Sequence, residues 1–367
     1  MKIAIIGTRG IPAQYSGYDT LAEELALRLA NDHGVHVTVY CRSPYYEKKP
    51  TWVSNVECIY LPSGRAKGIE SLFHTGLSVL HALTGSYDVI FVVDPGNALW
   101  CLLLKWFGKK IVIHTDGLGW KRRKWGRCAR LYYKWAERIS TLAATALVSD
   151  SPVMKGYYRD TYHAETVYIP YGAEPTVGMD ETILGEVSVK PHHYLLVVAR
   201  LEPENNTDLI IKEYVASKVS LPLVVVGDSP YGKDYLSRLH ALANDRVYFT
   251  GRIFDQKRLN SLYKHAFLYI HGHEVGGTNP SLLRAMGLQT PPLVLNVPFN
   301  TIVTGGNGFT FEKEVDGLST TLQRLVLEPA MVRETGMRAK EWADRHFTWQ
   351  SVVAAYKELF NSLAEEK

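Results

Sequence analysis

Short runs of apolar residues, many of them β-branched, recur along the chain at intervals that leave room for a helix. The first series occupies residues 2–6, 35–40, 56–61, 88–93, 110–114 and 146–149, and the second occupies residues 194–199, 221–226, 246–250, 267–271 and 293–295. The runs are continuously apolar, which is typical of strands buried on both faces of a parallel sheet. Residues 20–31 are typical of the intervening helices, because Leu21, Leu25 and Leu29 fall on one face.

This alternation in two blocks predicts two doubly wound α/β domains, a number that also fits a chain of 367 residues. The boundary between the two domains lies between residues 169 and 190, where Pro170, Gly172 and Pro175 interrupt any periodic pattern of apolar residues. In open sheets of this kind, ligands bind beyond the carboxyl ends of the strands. We therefore expect two sheets facing across a cleft, with loops of both domains building the site.

The charge balance, the cysteines and the apolar runs narrow the class of protein. The 41 Lys and Arg exceed the 37 Asp and Glu by only four, which argues against a nucleic-acid-binding protein. The four cysteines form no C-x-x-C pair, which favours a reducing compartment over a zinc ribbon. The N-terminal apolar segment is too short for a signal peptide, and residues 98–107 are too few to span a bilayer. We expect a cytoplasmic protein or one that lies on a membrane surface.

The first predicted strand is followed by Gly7-Thr8-Arg9-Gly10-Ile11-Pro12 and then by Tyr15-Ser16-Gly17-Tyr18-Asp19. This is not the G-x-G-x-x-G pattern of nicotinamide dinucleotide sites. Gly10 would let the backbone approach a phosphate ahead of the helix that starts near Asp19. The alternative is a tight turn without a ligand.

In the second block, Arg200 follows a strand, and its planar guanidinium suits a pyrophosphate. The alternative is a surface ion pair with Glu202 or Glu204.

A glycine-containing loop after another strand is the strongest candidate phosphate site. It reads His271-Gly272-His273-Glu274-Val275-Gly276-Gly277-Thr278-Asn279-Pro280-Ser281 and precedes a predicted helix at 281–286, whose first amides can bind an anion. A metal held by His271 and His273 is a weaker interpretation, because no third ligand is evident nearby. Since no D-x-D triplet occurs in the chain, we expect a metal-free site. Arg200 and helix amides would then offset a diphosphate charge.

Asp116 follows a strand of the first block and would orient a sugar hydroxyl or take part in acid–base chemistry, unless it caps a helix. The residues after it mix basic and aromatic side chains. They include Trp120, Lys121, Arg122, Arg123, Lys124, Trp125, Arg130, Tyr132, Tyr133 and Trp135. The mixture fits an anionic lipid surface or a lipid pyrophosphate, and a solvated basic helix face is the alternative.

Several separate motifs occur in one order along the chain. They are residues 7–13 with 15–18, 116–122, 169–174, 203–206, 276–283 and 347–349. With them the chain resembles the GT-B glycosyltransferases of family four over nearly its whole length, and more narrowly the bacterial rhamnosyltransferase branch.

The resemblance implies two Rossmann-like doubly wound parallel-sheet domains, with the C-terminal helix crossing back. Residues 1–170 and 350–367 would form an acceptor-side domain, and residues 171–349 a nucleotide-sugar-binding domain. It implies retaining transfer of L-rhamnose from dTDP-rhamnose to a polyprenyl-diphosphate-linked sugar, for surface polysaccharide synthesis at the inner face of the plasma membrane. Retention without an enzyme nucleophile implies front-face attack, with the leaving diphosphate taking the acceptor proton.

The resemblance also implies roles for individual residues. On the donor side would lie Gly10, Arg200, Asn205, Gly251, Arg252, Ile253, Glu274, Gly276, Gly277, Thr278, Asn279 and Arg284. On the acceptor and membrane side would lie Tyr15, Tyr18, Asp19, Trp120, Lys121, Arg122, Lys124 and Trp125. The catalytic candidates are Asp116, His114 and Arg200, and no metal or other cofactor is expected beside the nucleotide sugar.

Two departures from the family pattern bear on the donor. Asn205 stands where the wider family has Lys, as it often does in the rhamnosyltransferase branch. Arg284 replaces the Glu of a Leu-Glu-Ala-Met motif and cannot accept a hydrogen bond from a ribose, and the earlier acid of that motif falls at Gly276. Either Glu274 substitutes, or Arg284 binds a donor phosphate, or the donor site is altered. A UDP-hexose-dependent transferase and a non-catalytic nucleotide-sugar-binding subunit are the alternative functions.

Overall fold

The computed structural model describes residues 1–13, 17–64, 69–122, 126–173, 178–229 and 232–365. The first half of the chain alternates strands with helices. Its elements are β1 (Lys2–Ile6), α1 (Gly17–Leu29), β2 (His36–Arg42), β3 (Trp52–Val53), β4 (Val56–Leu61), α2 (Ile69–Leu83), β5 (Val89–Val93), α3 (Ala98–Trp106), β6 (Ile111–Thr115), α4 (Arg127–Ala143), β7 (Ala146–Ser149), α5 (Pro152–Tyr162) and β8 (Val167–Tyr168).

The second half repeats this alternation and ends in four helices with one short strand among them. Its elements are α6 (Thr182–Glu186), β9 (Leu195–Val198), α7 (Thr207–Ser217), β10 (Leu223–Val226), α8 (Lys233–Leu242), β11 (Val247–Gly251), α9 (Gln256–Lys264), β12 (Leu268–His271), α10 (Pro280–Gly287), β13 (Pro292–Leu295), α11 (Pro298–Thr304), β14 (Phe309–Phe311), α12 (Gly317–Leu325), α13 (Pro329–His346) and α14 (Trp349–Glu365).

The chain divides into two compact units. Unit 1 comprises Met1–Tyr171 and Trp349–Lys367, and unit 2 comprises Gly172–Thr348. In unit 1, α14 packs its aromatic side chains on the sheet: the rings of Tyr356 and Phe360 lie 5.3 and 5.8 Å from that of Phe91 in β5. All three rings are fully buried, so the C-terminal helix completes the core of unit 1.

The strands of unit 1 form one sheet in the order β3-β4-β2-β1-β5-β6-β7-β8, parallel except for the β3–β4 pair. The chain runs outward in one direction from β1 and in the other from β5. A sheet that reverses its strand order in this way leaves a crevice beyond the carboxyl ends of the two central strands. In unit 1 that crevice adjoins the loops after β1 and β5.

Unit 2 has a parallel sheet in the order β11-β10-β9-β12-β13-β14. Its order reverses between β9 and β12, so the corresponding crevice adjoins the loops after those two strands. Every residue of β10 and β12 and the first three residues of β9 are buried, as their continuous apolar sequences predict.

The predicted strands are all present, and most of their ends shift by one or two residues. The sequence interpretation missed β3, β8 and β14, which contain only two or three residues each, and the short helix α6 inside the expected interdomain break. Among the described residues, no helix has the length and apolarity needed to cross a membrane.

Candidate active site

The loop after β1 is pressed against its neighbours. Gly10 has φ +113°, and a Cβ there would lie 2.5 Å from Cys41 Sγ on β2. The Gly10 amide donates to Thr8 Oγ1 at 3.0 Å. The tight-turn alternative for Gly10 therefore has direct structural support, and its contact with a donor phosphate stays a prediction.

Two buried ionic contacts hold this loop in place. The Asp19 carboxylate accepts a hydrogen bond from the Arg9 amide at 2.9 Å and lies 3.6 Å from the Arg9 guanidinium. Arg42 donates to the Gly7 carbonyl at 3.2 Å and to Glu70 at 3.1 Å. Asp19 is almost fully buried and these contacts position the loop, while its expected acceptor contact stays a prediction.

A small polar pocket lies at the carboxyl ends of β5 and β6 in unit 1. It has a volume of about 20 Å³, enough for a water molecule. Its walls include the three expected residues Tyr18, Asp116 and Arg122. The Tyr18 hydroxyl donates to the Asp116 carbonyl at 3.3 Å, and Asp116 begins no helix. The sequence therefore identified part of this pocket, although it grouped Arg122 with the membrane patch.

Asp94, which the sequence interpretation missed, adds a second carboxylate to the pocket. It has φ +70°, a conformation that costs a non-glycine residue energy. Its Oδ1 accepts the Gly96 amide at 2.9 Å. Burial raises the pKa of this carboxyl, and the charge of Asp116 raises it further. The strained backbone and the nearby carboxylate make Asp94 a candidate functional residue.

Glu137 from α4 closes the pocket and was also missed. It is 1% exposed, and its Oε2 accepts hydrogen bonds from the hydroxyls of Tyr157 at 2.9 Å and Tyr162 at 2.8 Å. Burial raises the pKa of Glu137 to about 7, although the two tyrosine hydrogen bonds lower it. A carboxyl that titrates near neutral pH is suited to holding or passing a proton.

His114, a catalytic candidate, is completely buried in β6. The rings of Tyr18, Phe91 and Tyr171 surround it with centroids 5.8–6.2 Å away. Burial lowers the pKa of His114 to about 3, so the imidazole is neutral at physiological pH. Neither ring nitrogen has a hydrogen-bond partner among the described residues. The His114 ring thus lies in edge-to-face contact with Tyr18, and its catalytic role stays a prediction.

Part of the expected membrane patch lies outside the described residues, namely Tyr15, Arg123, Lys124 and Trp125. Trp120 donates from its indole to the Tyr157 hydroxyl at 3.2 Å, and the Lys134 ammonium stacks on its ring at 4.3 Å. Trp120 is therefore held in the layer of α4 and α5, while Lys121 is exposed.

In unit 2, the loop after β9 presents Arg200. Its guanidinium lies 3.9 Å from Glu202, so the alternative of an ion pair is realised as a long contact in this state. Asn205 is buried and donates to the Arg200 carbonyl at 2.7 Å. Asn205 therefore holds the backbone of this loop, and its expected donor contact stays a prediction.

The loops after β9 and β12 are joined by hydrogen bonds. The Asn206 side chain donates to the Gly272 carbonyl at 2.8 Å, and the Glu274 amide donates to the Glu204 carbonyl at 3.1 Å. Glu204 is 4% exposed, and neither of its carboxylate oxygens has a hydrogen-bond partner among the described residues. A buried carboxylate without a partner is costly, so Glu204 is a candidate to accept hydrogen bonds from a ligand.

The glycine loop leads into α10 as expected. Asn279 caps this helix by accepting the Ser281 amide at 3.1 Å. A Cβ on Gly276 would meet nothing within 4 Å, so space remains beside the backbone there. Gly277 and Thr278 are buried.

The two histidines at the start of the loop stack on each other, with ring centroids 4.2 Å apart. The described residues contain no group of three or more His, Cys, Asp or Glu side chains suited to a metal ion.

The two residues at issue in the altered motif have other partners in this state. Arg284 donates to Gln256 at 2.7 Å, and Glu274 lies 2.6 Å from the Lys313 ammonium. The sequence alternatives for Arg284 therefore stay predictions.

The expected base-binding turn at Gly251, Arg252 and Ile253 borders an open depression of about 810 Å³, where Arg252 stacks on the exposed ring of Phe254.

Known proteins share this architecture. The chain has the two-domain α/β GT-B fold of a group of glycosyltransferases. It overlays on sucrose-phosphate synthase from Thermosynechococcus elongatus with a TM-score of 0.84, 19% identity and 99% and 98% of the two chains covered. Anabaena HepE in complex with UDP and glucose overlays with a TM-score of 0.80 and 14% identity, and 99% of this chain and 100% of that chain are covered. WaaG, a glycosyltransferase involved in lipopolysaccharide biosynthesis, overlays with a TM-score of 0.75 and 17% identity, and 98% of this chain and 99% of that chain are covered.

Sequence comparisons identify the second unit more closely. Residues 183–342, which lie within unit 2, match the family described as glycosyl transferases group 1. Residues 93–174 match a domain of unknown function, DUF1972. Glycosyltransferase 1 domain-containing protein 1 of Xenopus tropicalis is 26% identical over 148 residues, which cover 38% of this chain and 41% of that protein. The chain therefore spans less than half the length of this curated relative.

The close approach of Gly10 to β2 yields a stability prediction. Gly10→Ala should lower the free energy of unfolding by about 2–4 kcal/mol, because the new Cβ would meet Cys41 in a left-handed conformation. Gly34→Ala is the matched control, since Gly34 has φ +79° but open space around it, and should cost about 1 kcal/mol. Urea unfolding measures both. Equal losses would mean that packing on Cys41 does not constrain this loop.

The raised pKa of Glu137 predicts a pH-dependent stability. Between its usual pKa of 4.5 and about 7, the folded protein keeps a proton that the unfolded chain has released. The free energy of unfolding should therefore fall as pH rises through this window, by up to about 3 kcal/mol from this residue. Relative to Glu137→Gln, the unaltered protein should lose stability between about pH 5 and pH 8 in chemical denaturation. Glu341 is an exposed carboxylate, so Glu341→Gln should show the same pH dependence of stability as the unaltered protein. A parallel pH dependence in Glu137→Gln would contradict the buried protonated carboxyl.

Proposed function

We propose that the protein is a retaining glycosyltransferase that uses a nucleotide-diphosphate sugar. The observation that carries the proposal is the joined pair of loops after β9 and β12, which bring Arg200 and the glycine loop to the crevice of the group 1 domain. Ligands of doubly wound sheets bind at such a position. The donor diphosphate would pair with the Arg200 guanidinium and with amides near Gly276, Gly277 and Thr278.

The reaction would exchange one bond at the anomeric carbon for another on the same face. The bond from this carbon to the phosphate oxygen breaks, the acceptor hydroxyl oxygen bonds to the carbon, and the departing diphosphate takes the hydroxyl proton. Arg200 would stabilise the charge that develops on the leaving group. The chain has no D-x-D triplet, so we propose that this transfer needs no metal ion.

The acceptor would bind in unit 1. The water-sized pocket of Tyr18, Asp94, Asp116 and Arg122 is too small for a sugar ring, but its two carboxylates and guanidinium are suited to binding one sugar hydroxyl or anionic oxygen at its mouth. We propose a polyprenyl-diphosphate-linked sugar as acceptor, in surface polysaccharide synthesis, with the protein peripheral on the inner face of the plasma membrane.

The proposed donor is dTDP-L-rhamnose, on the sequence resemblance. A UDP-hexose is the alternative, supported by the structural likeness to HepE, whose complexes contain UDP with glucose and UDP-glucose. Thermal-shift measurements with dTDP, UDP and GDP and their sugars separate these, since a ligand that binds only the folded state raises the melting temperature. Tight nucleotide binding without transfer or hydrolysis of any donor would instead indicate a non-catalytic binding subunit.

Arg200→Ala should lower turnover by more than tenfold with whichever donor is active, because the diphosphate loses a charged partner. The assay is transfer to a synthetic lipid-linked sugar. Arg324→Ala, on the exposed side of α12, is the control and should keep full activity. Near-normal turnover of Arg200→Ala would remove Arg200 from the donor site.

Glu204→Gln tests whether this buried carboxylate waits for a ligand. The free protein should gain about 1 kcal/mol of unfolding free energy, because an unpaired buried charge is removed, while the donor-induced thermal shift should shrink. Glu213→Gln is the matched control, since Glu213 is equally buried but accepts the Ser319 amide. That variant should lose stability and keep the donor-induced shift. If Glu204→Gln destabilises the free protein and binds donor normally, its role is structural.

A further inference from the structure

The outer surface of α2, α3 and α4 carries an unusual concentration of exposed apolar side chains. Of the 20 large hydrophobic residues exposed among the described residues, nine lie on these helices or directly after α3. They are Ile69, Phe73, Leu80, Leu102, Trp106, Phe107, Leu131, Trp135 and Leu142. We call this surface the three-helix face.

The three helices form one continuous layer. The Trp100 indole on α3 donates to the Leu72 carbonyl on α2 at 2.8 Å, and its ring packs against Gly76. At the other side, the Lys105 ammonium on α3 donates to the Leu142 carbonyl on α4. All three helices connect parallel strands in the same direction along the sheet, so right-handed crossovers place them on the same side.

The charges of the three-helix face have a single sign. Five exposed cations flank the apolar residues, namely Lys105, Arg127, Arg130, Lys134 and Arg138. The only carboxylates on α2, α3 and α4 as described are Glu70 and Glu137, and both are buried. Glu70 bonds to Arg42 and Glu137 to two tyrosines. Water-facing helices of soluble proteins ordinarily carry both signs, so this face is built for an anionic partner.

The composition of the face distinguishes between partners. A symmetric dimer through this face would place five cations of one copy against five of the other, which is unfavourable. Protein interfaces are also depleted in Lys, whereas Trp and Leu flanked by Lys and Arg are typical of surfaces that enter the headgroup region of a bilayer. Trp106 is 86% exposed and Leu131 is 71% exposed, so both can insert without unfolding.

We propose that the three-helix face binds the surface of an anionic phospholipid bilayer. The apolar residues enter the boundary between headgroups and acyl chains, and the five cations lie among the anionic headgroups. This inference deepens the proposed function by naming the surface that meets the membrane. It shares Arg130 and Trp135 with the basic and aromatic stretch that the sequence singled out, and it adds residues of α2 and α3.

The test is co-sedimentation of the full chain with vesicles, without any sugar nucleotide. Vesicles of phosphatidylcholine mixed with phosphatidylglycerol should bind the protein, and pure phosphatidylcholine should bind at least tenfold less, since each cation near an anionic surface contributes about a fivefold gain. Trp106→Ala with Trp135→Ala should reduce binding to the mixed vesicles at least tenfold. Arg130→Glu with Arg138→Glu should abolish the preference for the anionic lipid.

Matched controls lie elsewhere on the surface. Trp52→Ala with Leu327→Ala removes equally exposed apolar groups, and Arg324→Glu with Arg333→Glu reverses two cations of unit 2. Both pairs should bind vesicles as the unaltered chain does, and circular dichroism should show every variant folded. Equal losses in variants and controls, or equal binding to both lipids, would overturn the proposal. So would self-association that the tryptophan variant abolishes while vesicles bind nothing. Because donor is absent, these outcomes are independent of the donor-induced shifts that test the proposed function.

Discussion

The reversal of strand order in each sheet is the constraint on which the candidate sites depend. At β1 and β5, and again at β9 and β12, adjacent strands send their following chains in opposite directions. The loops diverge and leave a crevice that helices cannot fill. Asp94, Asp116 and Arg200 each follow one of these strands or its neighbour, although they come from distant parts of the sequence. The hydrogen bonds from Arg42 to Gly7 and from Asn206 to Gly272 then fix those loops.

In both units, residues near these crevices have features that lower the stability of the folded protein. Asp94 has a positive φ, Glu137 buries a carboxyl beside the pocket of unit 1, and Glu204 buries a carboxylate without a partner among the described residues. Each feature is unfavourable for the isolated protein and becomes favourable only if a ligand or a proton compensates it. The remaining core contains close-packed apolar strands and rings, as in β5 and α14, which can offset such local costs.

Features set by local sequence patterns could be predicted from the sequence, whereas features set by contacts between residues distant in the sequence could not. The core strands were predictable because burial on both faces forces a continuous apolar run, whereas β3, β8 and β14 are too short to show one. Arg200 and Asp116 were predictable because they directly follow such runs. Asp94 and Glu137 were not, because Glu137 comes from a distant helix and nothing local marks the backbone of Asp94 as strained. The inward hydrogen bond of Asn205 depends on the folded loop and leaves no sequence signal.

Helix α4 connects the two functional proposals through its own periodicity. Tyr133 and Glu137 are four residues apart, so they share one side of the helix, and both line the pocket of unit 1. Leu131, Trp135 and Leu142 occupy the opposite side, which is exposed. A helix is only about 10 Å across with its side chains, so a bilayer against the outer side would lie close to the pocket proposed for the acceptor. A lipid-linked acceptor has its sugar next to its lipid, and α4 would place the binding elements for both on one rigid element.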